Sequence, residues 1–164
     1  MRDSIIDAPG ENGYALAADD EGGFGPSTTL ERVTVFGQVQ VRQLTLASEV
    51  IFTAPVTVLR RQIGCVRFSY VPPESITPRC YRCQPDREEV QGRLIPNFTS
   101  TRYGDPAYAQ LGLTCPIQIR TGAEDGSEMG VFSSLKQPQR EANLHQRLQE
   151  YLPFGLEPAL IFVT

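Results

Sequence analysis

The sequence predicts a mainly β protein: a short parallel β-helix followed by a mixed α/β C-terminal cap. Three observations carry that expectation. From Glu31 to Tyr70 (ERVTVFGQVQVRQLTLASEVIFTAPVTVLRRQIGCVRFSY) apolar residues recur two apart, in pairs separated by short turns. Shifting the chain by 17 residues lays Val33, Val35, Val39, Val41 and Leu46 on Val50, Phe52, Val56, Val58 and Ile63, and Gly37 on Ala54. The pattern then stops at Val71-Pro72-Pro73.

Side chains two apart share one face of a strand, so Val33/Val35, Val39/Val41, Leu44/Leu46, Val50/Phe52, Val56/Val58 and Val66/Phe68/Tyr70 each read as a short strand with one buried side. An offset that keeps strands and corners in phase is what stacked rungs leave in a sequence, although two copies are fewer than such arrays need to stand alone. Strands this short also permit an antiparallel sandwich with hairpin links.

In chain order, residues 1–10 read as a strand and a turn. The Gly-rich acidic stretch 11–27 breaks the 17-residue register and reads as an insertion loop. Rungs are expected across residues 1–70 and a capping segment across 71–164. Proline cannot donate to a ladder, which is why the β region is expected to end after Tyr70. A strand or short helix is expected near Glu88–Leu94. Asp105-Pro106 followed by Ala107 to Gly112 has the ends of a short helix. Ile117 and Ile119 form another strand pair. An amphipathic helix spans 138–152, with Leu144, Leu148, Tyr151 and Leu152 on one stripe and Pro153 after it. Ala159 to Val163 reads as an apolar strand buried on both faces, which together with the helix covers the open end of the rungs.

Composition bounds function more by exclusion. The chain has 164 residues, a formal net charge of −4 and 40% hydrophobic content. An acidic chain lacks the concentrated basic surface that phosphate backbones need, so no nucleic-acid partner is expected. Arg60, Arg61 and Arg67 are read as a solvated strand face. No run is long and apolar enough for a signal peptide or a membrane span, so a cytoplasmic protein is expected, one that can be built into a secreted or particle-bound assembly. The strand beginning almost at Met1, with no helix before it, reads as an open sheet end: a fragment of a longer chain, or an edge covered by a partner.

Chemistry-bearing patterns are weak throughout. Cys80-Tyr81-Arg82-Cys83 has the spacing of half a zinc knuckle, which Cys65 and Cys115 would have to complete; disulfides and packed thiols remain the other readings. Asp19-Asp20-Glu21 lacks EF-hand spacing. The acidic turn 122–128 reads as a surface loop. His145, the only histidine, lies beside the helix stripe, and no Gly-x-Ser-x-Gly elbow accompanies it. Many acids could pair as a glycosidase couple, for instance Asp105 with Glu124 or Asp125, and the sequence by itself brings no two of them together. Asn97-Phe98-Thr99 matches a glycosylation acceptor and is expected to be idle. No catalytic, cofactor-binding or metal residue is assigned, and no cofactor is expected.

Four phrases carry a resemblance: LERVTVFGQVQVRQLTLASEVIFTAPV, GCVRFSYVPPESITPRCYRCQPD, FTSTRYGDPAYAQLGLTCP and GAEDGSEMGVFSSLKQPQREANLHQRLQEYL. They resemble the C-terminal part of a group of large bacterial β-helix proteins associated with gene clusters for phage-tail-like, contractile injection particles. The resemblance implies a right-handed parallel β-helix closed by the α/β tail, with the rungs N-terminal to Ile5 missing here. It supplies no catalytic residues. The function expected is a non-catalytic structural or interaction component of such a particle, in the baseplate, spike or fibre, with other subunits or further copies of itself as partners. The alternatives are a polysaccharide-active enzyme on a β-helix scaffold and a small zinc-stabilised binding module.

Overall fold

Alternating apolar residues do make strands here, and every ladder between those strands is parallel. The computed structural model describes residues 1–10, 13–19, 23–86 and 94–161. The strands are β1 (Arg2–Asp7), β2 (Tyr14–Leu16), β3 (Thr28–Phe36), β4 (Gln38–Val41), β5 (Leu44–Ser48), β6 (Ile51–Phe52), β7 (Val56–Val58), β8 (Cys65–Arg67) and β9 (Arg79–Tyr81). A six-stranded sheet runs in the order β1-β3-β5-β8-β9, with β6 also on β3. A second sheet runs β2-β4-β7. The chain passes from one sheet to the other and back, each pass pairing with the one before it. Parallel pairing throughout removes the hairpin-linked sandwich.

The 17-residue step is the observed register over its central part: Val35 pairs with Phe52, Val39 with Val56 and Val41 with Val58. Between the sheets Leu30, Val33, Val35, Val39, Val41, Val50, Phe52, Val56, Val58 and Val66 form one core. Each such side chain contributes about 1.5–3 kcal/mol by leaving water. The step then lengthens. Leu46 pairs with Cys65, not with Ile63. The added residues make an exposed corner at Arg60 to Ile63. Gly64 follows at φ +108°, where a Cβ would lie 1.9 Å from the Leu44 carbonyl oxygen. The pair Leu44/Leu46 also fails to share a face. The ladder with β3 slips between Thr28 and Thr29, so Leu44, Ala47 and Ser48 are the buried residues of β5 and Leu46 is only half-buried.

Stretch 11–27 is not simply a loop, since β2 within it pairs with β4 and Gly25 bridges to Val41. Nor does the parallel pairing end at Tyr70. Beyond the prolines β9 pairs with β8, Ile76 bridges Thr57 and Gln84 bridges Tyr70. Pro72 and Pro73 occupy the turn between these bridges, where no ladder amide is needed. The expected boundary at residue 70 therefore falls inside the paired region.

One corner recurs on every pass through the larger sheet. Asp3, Arg32, Glu49, Phe68 and Arg82 all have left-handed backbone, with φ between +47° and +57°. The flanking pairings place them above one another. A single left-handed residue turns the strand sharply while keeping its neighbours paired on both sides. None of the five is glycine, and each such residue costs about 1 kcal/mol or more.

The C-terminal half departs most from expectation. Residues 105–112 form successive turns, with Ala109 at φ +61°, and not a helix. Ile117 and Ile119 lie in a helical turn, α1 (Ile117–Arg120), and not in a strand. The expected element at Glu88–Leu94 falls almost wholly outside the described residues. Helix α2 (Gln137–Tyr151) forms within a residue of its expected bounds, yet buries no side chain. The apolar strand expected at 159–163 is not formed over 159–161, where Ile161 is 87% exposed; the remainder lies outside the described residues. Among the described residues, neither element lines the open end beyond β9.

The segment around residues 94–133 instead lies against the outer face of the six-stranded sheet. Ile51 and Tyr70 point away from the inter-sheet core and join Cys115, Ile119 and Met129 in a second cluster. Gly130 lets the backbone in: its N–H donates to the Glu49 carbonyl, and a Cβ there would lie 2.6 Å from Thr34 Oγ1. Two outward apolar side chains needed cover, which is why this face and not the end of the sheets received the segment.

Gly64→Ala is expected to destabilise the fold by roughly 2–3 kcal/mol, since both the left-handed backbone and the Leu44 carbonyl exclude a methyl group. Ile63→Ser, at the exposed corner, is expected to stay within about 0.5 kcal/mol. Urea-unfolding midpoints of the two variants check this. Equal losses would restore Ile63 to the core register.

Candidate functional site

Two places gather polar or reactive side chains: the end of the sheets beyond β9, and the seam where the C-terminal segment meets the sheet.

At the end, the inward columns run out. Leu30, Ala47 and Val66 stack down to Cys80, while Val33, Val50 and Ser69 stack down to Cys83. The Ser69 hydroxyl sits inside the corner, accepting from the Val50 N–H at 3.0 Å and donating to the Arg67 carbonyl at 2.7 Å. Beneath it is an open hollow of about 980 Å³, lined by Val71, Ile76 and both cysteines, with Arg61, Arg79 and Arg82 at the rim. A smaller hollow of about 630 Å³ adjoins it through Arg61 and Thr77 and reaches Leu59, Arg60 and Ile63.

The two thiols are neighbours, and their contact shapes their chemistry. The Cys83 thiol is pushed up, first by a hydrogen bond with Cys80 and then by burial. It donates to the Val66 and Tyr81 carbonyls. The Cys80 contact and burial hold the thiol form, the opposite of what a nucleophilic or metal-binding thiolate needs. Cys115 sits apart in the second cluster, where burial pushes it up as well. Thus the zinc set of Cys65, Cys80, Cys83 and Cys115 is not assembled. Among the described residues, no three His, Cys, Asp or Glu side chains come together in a way that would hold a metal ion.

The seam is a polar chain, buried at Ser127 and Ser133 and exposed at Glu124 and Asp125. Ser127 Oγ donates to Asp125 Oδ1 at 2.5 Å and lies 3.0 Å from Ser133 Oγ, which donates to Glu49 Oε2 at 3.3 Å. The other Glu49 oxygen accepts the Glu124 N–H at 3.2 Å. Lys136 reaches Asp125 at 3.3 Å, and Arg67 reaches Glu124 at 3.6 Å. The Ser127 hydroxyl beside Asp125 holds that carboxyl below its usual range. A serine against a carboxylate invites a catalytic reading, but Ser127 is wholly buried and no histidine or lysine contacts its hydroxyl. The chain of bonds fastens the C-terminal segment to Glu49, a corner residue of the sheet.

The remaining candidates are dispersed. Asp105 accepts from Ser100 Oγ at 2.7 Å, while Glu124 and Asp125 belong to the seam, so the considered carboxylate pair is not joined by any contact. His145 is exposed on α2. Asn97 donates to Thr114 Oγ1 at 2.6 Å. Asp19 accepts the Gly23 N–H; its two acidic neighbours lie outside the described residues. Stretch 122–128 is not the plain surface loop expected, since Ala123, Ser127 and Glu128 in it are buried. Glu128 lies near the Arg120–Glu141 ion pair (3.1 Å), and burial pushes its carboxyl up to about 7 despite Arg120. No spacing in the sequence marks it, because the desolvation comes from residues brought in by the tertiary fold. No helix among the described residues is long and apolar enough to cross a membrane.

In comparisons with known proteins the chain matches no family model, no curated protein and no solved structure.

The folded chain holds the Glu128 proton more tightly than the unfolded chain does. Ionising it therefore weakens the fold as pH rises from about 4.5 to about 7, with no further loss above that window. Glu128→Gln is expected to remove this decline, so that the variant gains on the parent between pH 4.5 and 7. Asp3 and Asp125, both held low, act only at more acidic pH. Unfolding midpoints at pH 4.5, 6 and 8 measure the difference. A constant gap between the two proteins across that range would contradict it.

Proposed function

We propose that this chain is a non-catalytic structural and interaction component of a larger protein assembly. Its paired passes are read as a short right-handed parallel β-helix. The observation that carries the proposal is the unburied apolar surface of the C-terminal region. Helix α2 has 15 residues and no buried side chain. Leu144, Tyr151, Phe154, Leu156 and Ile161 are all exposed, Phe154 fully so. A helix of this length gains its stability mainly by packing an apolar face, and isolated ones are marginal in water. Apolar surface left in water on this scale fits a face that another subunit covers.

The resemblance of the four phrases to β-helix proteins of phage-tail-like particles supplies the kind of assembly: a baseplate, spike or fibre. A rigid stack of parallel strands fastened to an uncovered helical arm suits a part that joins other parts. The seam hydroxyls fit the same reading, being used to hold the arm's root against the sheet.

Affinity purification of contractile tail-like particles from cells expressing the tagged chain, followed by mass spectrometry of the sheared assemblies, tests this. The chain is expected in the particle fraction, and Leu144→Ser with Tyr151→Ser is expected to reduce its incorporation without changing its urea midpoint. Absence of the parent chain from intact particles would overturn the proposed assembly.

A further inference from the structure

From the geometry of the last pass we infer that the outer edge of β9 is a template for an acidic, extended segment of a partner protein, which adds to the sheet as its next parallel strand. This rests on the interaction reading above and names the partner chemistry of one surface.

Three features converge on that edge. First, β9 closes the strand order, and among the described residues no strand pairs with its outer side. In a parallel ladder alternate residues turn their backbone N–H and C=O to the far side, so the edge presents groups of known spacing. Second, the interior columns end there on Cys80 and Cys83, above the open hollow. A further strand would place small apolar side chains beneath them and continue the core. Third, the rim carries more cations than anions. Arg60, Arg61, Arg79 and Arg82 are exposed and no ion pair among the described residues engages them, while Asp86 is the one carboxylate among the described residues lining the hollow. By contrast Arg2 and Arg32, at the opposite edge, are each paired with a carboxylate of the adjoining strand, at 2.8 and 2.6 Å.

That contrast specifies the occupant. In the column of left-handed residues, Asp3 meets Arg32 through two hydrogen bonds of 2.6 and 3.0 Å. Arg82 ends the same column, and the position beyond it is where a carboxylate would repeat the Asp3–Arg32 contact. Tyr81 ends the neighbouring column, with its ring under the Arg82 guanidinium at 5.7 Å, which keeps that charge at the edge. Because strand side chains alternate, the segment that fits is one of alternating small apolar and acidic residues. On a chain of net charge −4 this basic rim is local, so attraction of an acidic strand depends on where it docks.

The test uses the whole chain under reducing conditions and a fluorescent peptide of roughly seven residues, alternating Val and Glu. Anisotropy is expected to show it binding about tenfold or more tightly than the Val/Lys peptide. Amide exchange is expected to slow at residues 79–84. Arg79→Glu with Arg82→Glu is expected to weaken binding by about tenfold or more, while Arg140→Glu with Arg147→Glu on α2 leaves it unchanged. Urea midpoints verify that both double variants fold. A Val/Glu peptide N-methylated at alternate amides should fail to bind. Equal binding by that peptide would overturn strand addition, as would displacement by polyphosphate with no change in exchange, which would make the rim a plain anion site. Loss of peptide binding with the chain still present in particles would refute this inference alone; absence from particles with peptide binding intact would refute only the assembly.

Discussion

The fold depends on one constraint: each pass of the chain must place a left-handed residue directly over the one before. At Asp3, Arg32, Glu49, Phe68 and Arg82 the strand bends, and the ladder continues on both sides of the bend. Residues of these types do not choose positive φ by themselves. They are held there because the flanking amides are already paired, as in Glu49 N–H to Arg67 O and Phe68 N–H to Tyr81 O, both 3.1 Å. Stacking makes the cost of each bend the condition for the next pairing. The inter-sheet core follows, because only this bend keeps Leu30 and Val33, three residues apart in one strand, on the same interior.

The same column organises the attachments. Its second and third members, Arg32 and Glu49, point outward from the sheet. Arg32 ties the first pass to the second through Asp3. Glu49 receives the seam from Ser133 and Glu124 and, through its own carbonyl, the Gly130 amide. So the residue that turns the strand also anchors the C-terminal segment, and Ile51 beside it supplies the apolar contact. The anchoring of α2 includes polar contacts, Arg120 to Glu141 and Gln139 to the Asp125 carbonyl. Leu144 and Tyr151 of its apolar stripe stay exposed while Leu148 and Leu152 are part-buried, and that exposure is the basis for treating the helix as an arm for another subunit.

Legibility varied with how local each cause was. The period-2 apolar pairs are local, and Val39/Val41 and Val56/Val58 paired as the 17-residue shift requires. Helix α2 was legible from its Pro138 start, its apolar stripe of Leu144, Leu148, Tyr151 and Leu152, and Pro153. Ile63 misled because apolar character was taken for burial, while the chain inserted two residues and gave its place to Cys65. Pro72-Pro73 misled in the opposite sense. Prolines stop a strand, but here they fill a turn between passes, and the pairing resumes at Arg79. Asp105 to Gly112 has helix-end chemistry without a helix, since Phe98 and Ser100 pair with Leu111 and Tyr108 across it.

By itself the sequence determined the strand class, the positions of the alternating core residues, the step between central passes and the existence of one C-terminal helix. Those follow from side-chain period and from proline and glycine chemistry, which act over a few residues. The tertiary structure alone decided the bend column, the lengthened step at Cys65, the seam on Glu49, the buried carboxyl of Glu128 and the edge at β9 that no strand among the described residues pairs. The pairings and the seam join residues 14 or more apart in the chain, and the Glu128 carboxyl is desolvated by the packed fold, so neighbours in space, and not neighbours in sequence, set the energy.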